Sequence, residues 1–298
     1  MPYSANYVRL LTSSDTLAIE RLLRTSEYAY QRFTLEELPL TLKRYPTVGV
    51  FHNTSLRGFL LSQVINPPSA WIGGFGVAWG EHKQYIALLD LLLEELVKHL
   101  LTRRVRYLHY SGTDVDRDWL RSVLLIRGFQ PYRYLYSYDK FGYEIPTHGN
   151  QQVIVRPVDL LSSQQSQSGK VGDMAALLAI EAACFDDLWR FDATAFTDIA
   201  ITNPYFVVAE LAGRVVGYQF NTVESEDGYL IRIAVHPSVS RQGIGARLMA
   251  EAIGFFEKAG ATHIMLNTQD DNVHAHRLYE RFGFVRLRQR GFVLRKNL

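Results

Sequence analysis

The residues Val235-His236-Pro237-Ser238-Val239-Ser240-Arg241-Gln242-Gly243-Ile244-Gly245-Ala246-Arg247-Leu248 combine the parts of an anion-binding turn. A β-branched run ends, a short loop follows, and a helical stretch opens with glycine and alanine. Backbone N–H groups at a helix N-terminus have no partners within the helix and attract anions. Residues without bulky side chains let a diphosphate come close to that backbone. Arg241 and Arg247 can add charge-assisted hydrogen bonds to phosphate. A Gly-x-Gly turn alone is equally compatible with an ordinary tight strand–helix connection. A nicotinamide-binding turn would want a small residue at Leu248 and an acid near Leu266 and Asn267, so a dinucleotide dehydrogenase does not fit.

Downstream, Asn272-Val273-His274-Ala275-His276-Arg277-Leu278-Tyr279-Glu280-Arg281-Phe282-Gly283-Phe284 reads as a short helix closed by glycine. Tyr279 lies within it. A phenol of pKa near 10 can protonate a departing alkyl thiolate, but it can equally be a packed aromatic. His236, His274 and His276 lack the third or fourth partner of a metal site, so none is predicted.

Elements able to hold these residues are legible around them. Strands are expected at Gln152–Arg156, Tyr205–Leu211, Arg214–Val223, Tyr229–Val235 and His263–Leu266, with closing strands at Phe284–Leu287 and Gly291–Leu294. A helical region is expected from near Val171, and a helix from Ile244 to Ala259, ended by Gly260. The first half repeats this order: Val8–Leu11, Val48–Phe51, Arg57–Val64, Trp71–Ala78, helix Tyr85–Leu101, Arg106–His109, helix Asp116–Ile126 and Tyr132–Tyr138. Setting Val77 beside Val235 brings Ile86 beside Ile244 without a gap, the mark of an internal repeat. The fold expected is α/β, with two tandem domains of one plan, each a partly parallel sheet flanked by helices. Their expected extents are 1–143 and 152–298, joined by a linker at 144–151; Ser162 to Lys170 reads as a polar loop.

The 298 residues carry 47% hydrophobic and 21% charged residues, enough apolar material for two cores. A net charge of +2 gives no footing for nucleic acid. The most apolar stretch, Tyr85 to Val97, is interrupted by Asp90, Glu94 and Glu95, so no membrane span is expected. Cys184 is the only cysteine, and Met1-Pro2-Tyr3-Ser4-Ala5-Asn6 lacks a secretion-signal pattern; a cytoplasmic protein is expected.

Together these motifs resemble the acetyl-CoA signature of the GCN5-related N-acetyltransferase (GNAT) family. That family's loop is written Q/R-x-x-G-x-G/A, and here it reads Ser240-Arg241-Gln242-Gly243-Ile244-Gly245. Ile233-Ala234-Val235-His236-Pro237 resembles the family's splayed strand, and Asn272 to Phe284 its second motif. Glu181-x-x-Cys184-Phe185-x-x-x-Trp189 and Arg232-Ile233-Ala234-Val235 are most similar to ribosomal-protein alanine N-acetyltransferases. The two-domain layout is similar to that of tandem acetyltransferases such as mycothiol synthase.

The resemblance implies a GNAT-like fold for both domains and acetyl transfer from acetyl-CoA to a primary amine by direct attack. Ile233, Ala234, Val235, Arg241, Gln242, Gly243, Ile244, Gly245 and Ala246 would bind acetyl-CoA, and Asn272 would touch its pantetheine arm. Tyr279 would be the general acid and the Val235 N–H the oxyanion donor. Arg277 and Arg281 would either meet the CoA 3′-phosphate or form a solvated face. Where close relatives carry a glutamate base this chain has Asn267; Glu224, Glu226, Asp270 and Asp271 are the remaining carboxylates. The missing base favours a weakly basic acceptor such as an α-amine, and leaves a non-catalytic acyl-CoA sensor as the alternative. In the first half, Tyr85 stands in place of Gly243, Glu81 adds negative charge, and Leu124 replaces Tyr279. That half is expected to be a degenerate copy.

Overall fold

A computed structural model of the chain describes residues 6–78, 80, 82–114, 119–160, 172–203 and 205–298. Trp79 and Glu81 of the first half's loop, the expected helix start at Asp116, the stretch Ser162 to Lys170, Val171 and Pro204 lie outside the described residues. The chain forms two compact units: Met1–Tyr134 with Gly291–Leu298, and Leu135–Arg290. This division departs from the expected boundary at 144–151, because the chain leaves the first unit inside one strand and returns to it inside another.

The first unit contains β1 (Tyr7–Leu10), α1 (Thr16–Thr25), β2 (Ala29–Gln31), α2 (Leu38–Arg44), β3 (Thr47–His52), β4 (Ser55–Asn66), β5 (Ser69–Val77), α3 (His82–Thr102), β6 (Tyr107–Thr113), α4 (Trp119–Ile126) and the start of β7 (Gln130–Phe141). Its sheet runs β1-β3-β4-β5-β6. On α3, Leu89, Leu92, Leu93, Leu96 and Leu100 recur at helical spacing and are buried against Val48, Leu60 and Ile72 of the sheet. Burying each such leucine stabilises the unit by about 1.5–3 kcal/mol.

The second unit contains the end of β7, then β8 (Ile154–Pro157), α5 (Met174–Cys184), α6 (Ala193–Thr202), β9 (Tyr205–Leu211), β10 (Arg214–Glu224), β11 (Asp227–Val235), α7 (Ile244–Lys258), β12 (His263–Gln269), α8 (Val273–Arg281) and the start of β13 (Val285–Asn297). The two closing strands expected at 284–287 and 291–294 are therefore one strand. Its residues 291–297 pair antiparallel with β6 in the first unit. The second unit's sheet is edged by residues 135–141 of β7, antiparallel to β12, and continues through β11, β10, β9 and β8. The β9–β10 hairpin turns on Ala212 (φ 50°) and Gly213 (φ 76°), the paired left-handed residues that match strand twist. Gly260 (φ 76°) ends α7 as the sequence predicts. One face of this sheet is covered by α5 and α6, with Leu177, Ile180 and Phe196 on Tyr218, Phe220 and Ala234. On the other, Ile244 and Leu248 of α7 pack with Ala209 and Val216.

Among the described residues each unit has one parallel strand pair, and both pairs stop early. β5 meets β6 only at Ser69↔Tyr107 to Trp71↔His109, and β11 meets β12 only at Asp227↔His263 to Tyr229↔Met265. Beyond Trp71 and Tyr229 the strands part. The repeat read from the sequence places those two residues at equivalent positions.

Candidate functional site

The parted end of β11 exposes backbone rather than side chains to the gap. The His236 N–H donates to the Val216 carbonyl at 2.8 Å, and the next pair inward is Gly217↔Val235. Antiparallel pairs alternate between bonded and outward-facing, so the N–H and C=O of Val235 and of Ile233 turn away from β10 towards the gap. Among the described residues no strand meets that edge between Leu230 and Val235. The ladder slips between Phe220↔Arg232 and Asn221↔Leu230, leaving Ile231 as a bulge that bends the strand. Ala234 is buried on the face of α5 and α6, while Ile233 and Val235 pack on the side of α7. The Val235 carbonyl accepts a bond from the Cys184 thiol at 3.3 Å. Burial pushes that thiol up to about 11, with the Glu181 carboxylate adding to the rise, so it remains a neutral donor.

At the head of α7, Gly243 is the N-cap in the left-handed region (φ 76°), and Arg241 is also left-handed (φ 64°). Glycine has no Cβ to oppose that conformation. Ile244 and Ala246 turn their side chains inward, and the first-turn N–H groups have no partners within the helix, the arrangement that suits an anion. Arg241 and Gln242 are exposed beside them. A Cβ at Gly245 would meet Leu278 of α8 at 3.4 Å, so α7 and α8 approach closely there. Arg247 is committed to Glu251 at 2.8 Å, which reduces its availability to an anion.

Sequence reasoning missed the support of this loop. The Asn150 side chain donates to the Gln242 carbonyl at 3.0 Å, and its N–H donates to the Gly243 carbonyl at 3.2 Å. Gly149 (φ 66°) lies so near that a Cβ would stand 2.3 Å from the Arg247 nitrogen. The stretch read as linker is thus a brace for the loop.

On α8, Asn272 caps the helix: its carbonyl oxygen accepts from the Ala275 N–H at 3.2 Å, and its amide donates to Thr268 Oγ1 at 3.3 Å. Tyr279 is buried between Tyr138 and Phe284, with ring centroids 5.7 and 6.1 Å away. Its hydroxyl has no hydrogen-bond partner among the described residues. Burial, with the Tyr138 phenol nearby, raises its pKa well above the ordinary value near 10, which keeps it protonated. Tyr138 also bonds His276 Nδ1 at 2.7 Å. His236 instead bonds Ser238, so these histidines serve separate local contacts. Arg277 and Arg281 are exposed.

Of the carboxylates considered as a base, Glu224 and Glu226 flank the hairpin at the start of β11. They are separated from Val235 by the strand's length, about 26 Å at roughly 3.3 Å per residue. Asp270 and Asp271 follow β12 and are exposed at the same end as Val235. Asn267 is exposed on β12.

In the first unit the equivalent gap is filled. β2 pairs along β5, with Ala29↔Gly76 to Gln31↔Gly74, and the Arg32 N–H donates to the Gly73 carbonyl at 2.9 Å. β4 holds the opposite edge of those residues, so β2 occupies the edge vacated by β6. Tyr30 bridges towards β6, with Ser111 at 3.5 Å. Tyr85, at the position of Gly243, is buried; its hydroxyl accepts from the Gly80 N–H at 2.9 Å and donates to Glu27 at 3.1 Å. Tyr28 stacks on Trp119 beside it. Leu124, in place of Tyr279, is fully buried.

Comparison with known proteins follows the same line. Residues 174–284 match the Acetyltransferase (GNAT) family. The chain is 36% identical over 80 residues to an uncharacterized N-acetyltransferase of Methanocaldococcus jannaschii, covering 26% of this chain and 51% of that protein. It thus spans about half the length of that relative. It is 28% identical over 116 residues to a putative ribosomal protein bS18 alanine N-acetyltransferase of Bacillus subtilis, covering 38% of this chain and 76% of that protein. A solved tandem GNAT protein from the clavulanic acid biosynthesis pathway shares the fold over 98% of both chains, with a TM-score of 0.67 and 9% identity. Residues 174–284 therefore belong to the GNAT acetyltransferase family, carried in a chain with the fold of a tandem GNAT protein.

Proposed function

We propose that the protein transfers an acetyl group from acetyl-CoA to a primary amine, with its one active site in the second unit. The observation that carries this reading is the contrast between the two gaps: open backbone along Leu230–Val235, and a gap occupied by β2 in the first unit. The residues of the open gap fit acetyl-CoA. Its diphosphate would sit on the N–H groups following Gly243, its pantetheine along Ile233–Val235, and its thioester carbonyl at the Val235 N–H.

The amine nitrogen would attack that carbonyl in a ternary complex, forming the C–N bond and breaking the C–S bond. The departing thiolate would take a proton from Tyr279, and the amine would lose one to water. With Asn267 where close relatives carry a glutamate base, an acceptor already partly neutral is favoured. An α-amine near pKa 8 meets that need and a lysine side chain near 10.4 does not. The relative named for alanine N-acetylation of ribosomal protein bS18 is compatible with such an acceptor.

Calorimetric titration of acetyl-CoA into the intact chain, beside Gly245→Glu, tests the site. One equivalent bound, and none by the variant, is expected; an intact chain that binds nothing ends the reading. Firm binding without CoA release for any amine would favour the sensor alternative, which Asn267 keeps in view.

A further inference from the structure

The segment between α5 and α6, Phe185 to Phe191, is held to β11 by a buried ion pair that the reaction outlined above does not use. Arg232 projects to the face of α5 and α6, where its guanidinium lies between the rings of Phe185 and Phe191, 3.9 and 4.0 Å from their centroids. It donates to the Trp189 carbonyl at 2.6 Å and faces Glu181 at 3.7 Å. Glu181 is fully buried. It accepts the Tyr218 hydroxyl on one oxygen and the Phe191 N–H on the other, at 2.7 Å for the latter. Arg232 thus touches three residues of the segment, and Glu181 fixes its far end. The near end is fixed by Cys184 on the Val235 carbonyl.

The position of this cluster gives it a consequence for transfer. With the diphosphate at the head of α7, as proposed above, the face of α5 and α6 is the one left for an amine to approach the thioester carbonyl at Val235. On that face β11 presents Arg232 and Ala234, and Cys184, Phe185, Trp189 and Phe191 lie along it. In the first unit the position of Arg232 is taken by Gly74, and the chain after α1 instead enters the gap as β2. Arg232 therefore holds the segment after α5 in the unit whose gap is open, and the unit whose gap is filled has no side chain at that position.

We propose that Arg232 is a positioning residue which, paired with Glu181, holds Phe185–Phe191 as the acceptor-side wall of the transfer site and keeps water from the thioester. This rests on the acetyl-CoA reading of the gap.

The test uses the full chain, Arg232→Lys, and the double variant Glu181→Gln/Arg232→Met, which leaves no orphaned buried charge. Acetyl-CoA affinity is measured by calorimetry, acetyl-CoA hydrolysis by chromatography, and alkylation of Cys184 by iodoacetamide by mass spectrometry. Affinity should stay within about threefold while hydrolysis and alkylation each rise about tenfold in the double variant, with Arg232→Lys between, as expected of local opening. Unchanged hydrolysis and alkylation with affinity retained would overturn the proposal, as would affinity lost in step with the other two. A parent chain that binds no acetyl-CoA removes the transfer reading itself. A parent that binds, with variants that behave like it, removes only the role of Arg232.

Discussion

A buried phenol, Tyr279, and a thiol, Cys184, with raised pKa values lie on opposite faces of the parted strand, and their protonation states bound the proposed chemistry. Tyr279 is held neutral by burial, so it has a proton to give at any ordinary pH, although a raised pKa also weakens the thermodynamic drive to give it. Tyr279→Phe should lower turnover by roughly 10²–10⁴ and leave acetyl-CoA affinity nearly unchanged. An unchanged rate would remove Tyr279 from the mechanism. Loss of the acid form cannot begin until pH passes its raised pKa. Turnover of the parent should therefore show no fall assignable to Tyr279 between pH 8 and about 10, the ordinary phenol value. Stability has the same sign. A folded pKa above the unfolded one contributes stability that is fully present below about 10 and is lost as pH rises through the folded value. A pH–rate profile beside thermal melts at pH 8 to 10 checks both expectations.

At the scale of elements, the two gaps show what a few substitutions do to one scaffold. β2 pairs along Gly74–Gly76 of β5, and the chain just after it packs on that stretch: a Cβ at Gly74 would stand 2.5 Å from the buried Phe33 ring. Gly74→Ala should destabilise the first unit by about 1–3 kcal/mol, as overpacking does, without affecting acetyl-CoA binding in the second. A calorimetric melt that matches the parent would show that the Phe33 ring shifts to make room at no cost. The second unit's strands, its glycine turn and Tyr279 were legible because each is a local pattern: β-branched runs, Gly243 and Gly245 at a strand–helix junction, helical spacing. β2 was not, since Ala29-Tyr30-Gln31 has no periodic signal and its partner, Gly74–Gly76, lies far along the chain. Asn150 escaped for the same reason. A polar residue in a Pro/Gly-rich stretch reads as linker until the loop it braces is placed beside it.

For the whole molecule, the decisive feature is where each unit gets its last strand. Phe292, Val293 and Leu294 are essentially fully buried, Phe292 and Leu294 in the core of the first unit. At about 1.5–3 kcal/mol for each, their removal costs an amount comparable to a domain's whole stability of roughly 5–15 kcal/mol. Deleting 291–298 should therefore unfold the first unit. The second unit has the reverse dependence: β12 pairs with Leu135–Phe141, and Tyr138 of that segment is fully buried beside Tyr279. A piece cut at the boundary expected from sequence, 152–298, lacks that strand. It leaves one edge of β12 unpaired and carries the apolar residues 292–294 without their partner β6. The piece 135–290 keeps every strand of the second unit. Circular dichroism melts of the two pieces should show a cooperative transition for 135–290 and none for 152–298, and only the former should take up acetyl-CoA. A cooperative melt of 152–298 at the temperature of 135–290 would mean that the β7 segment is dispensable. The repeat written in the sequence would then mark the folding boundaries, with the strand crossings incidental to them.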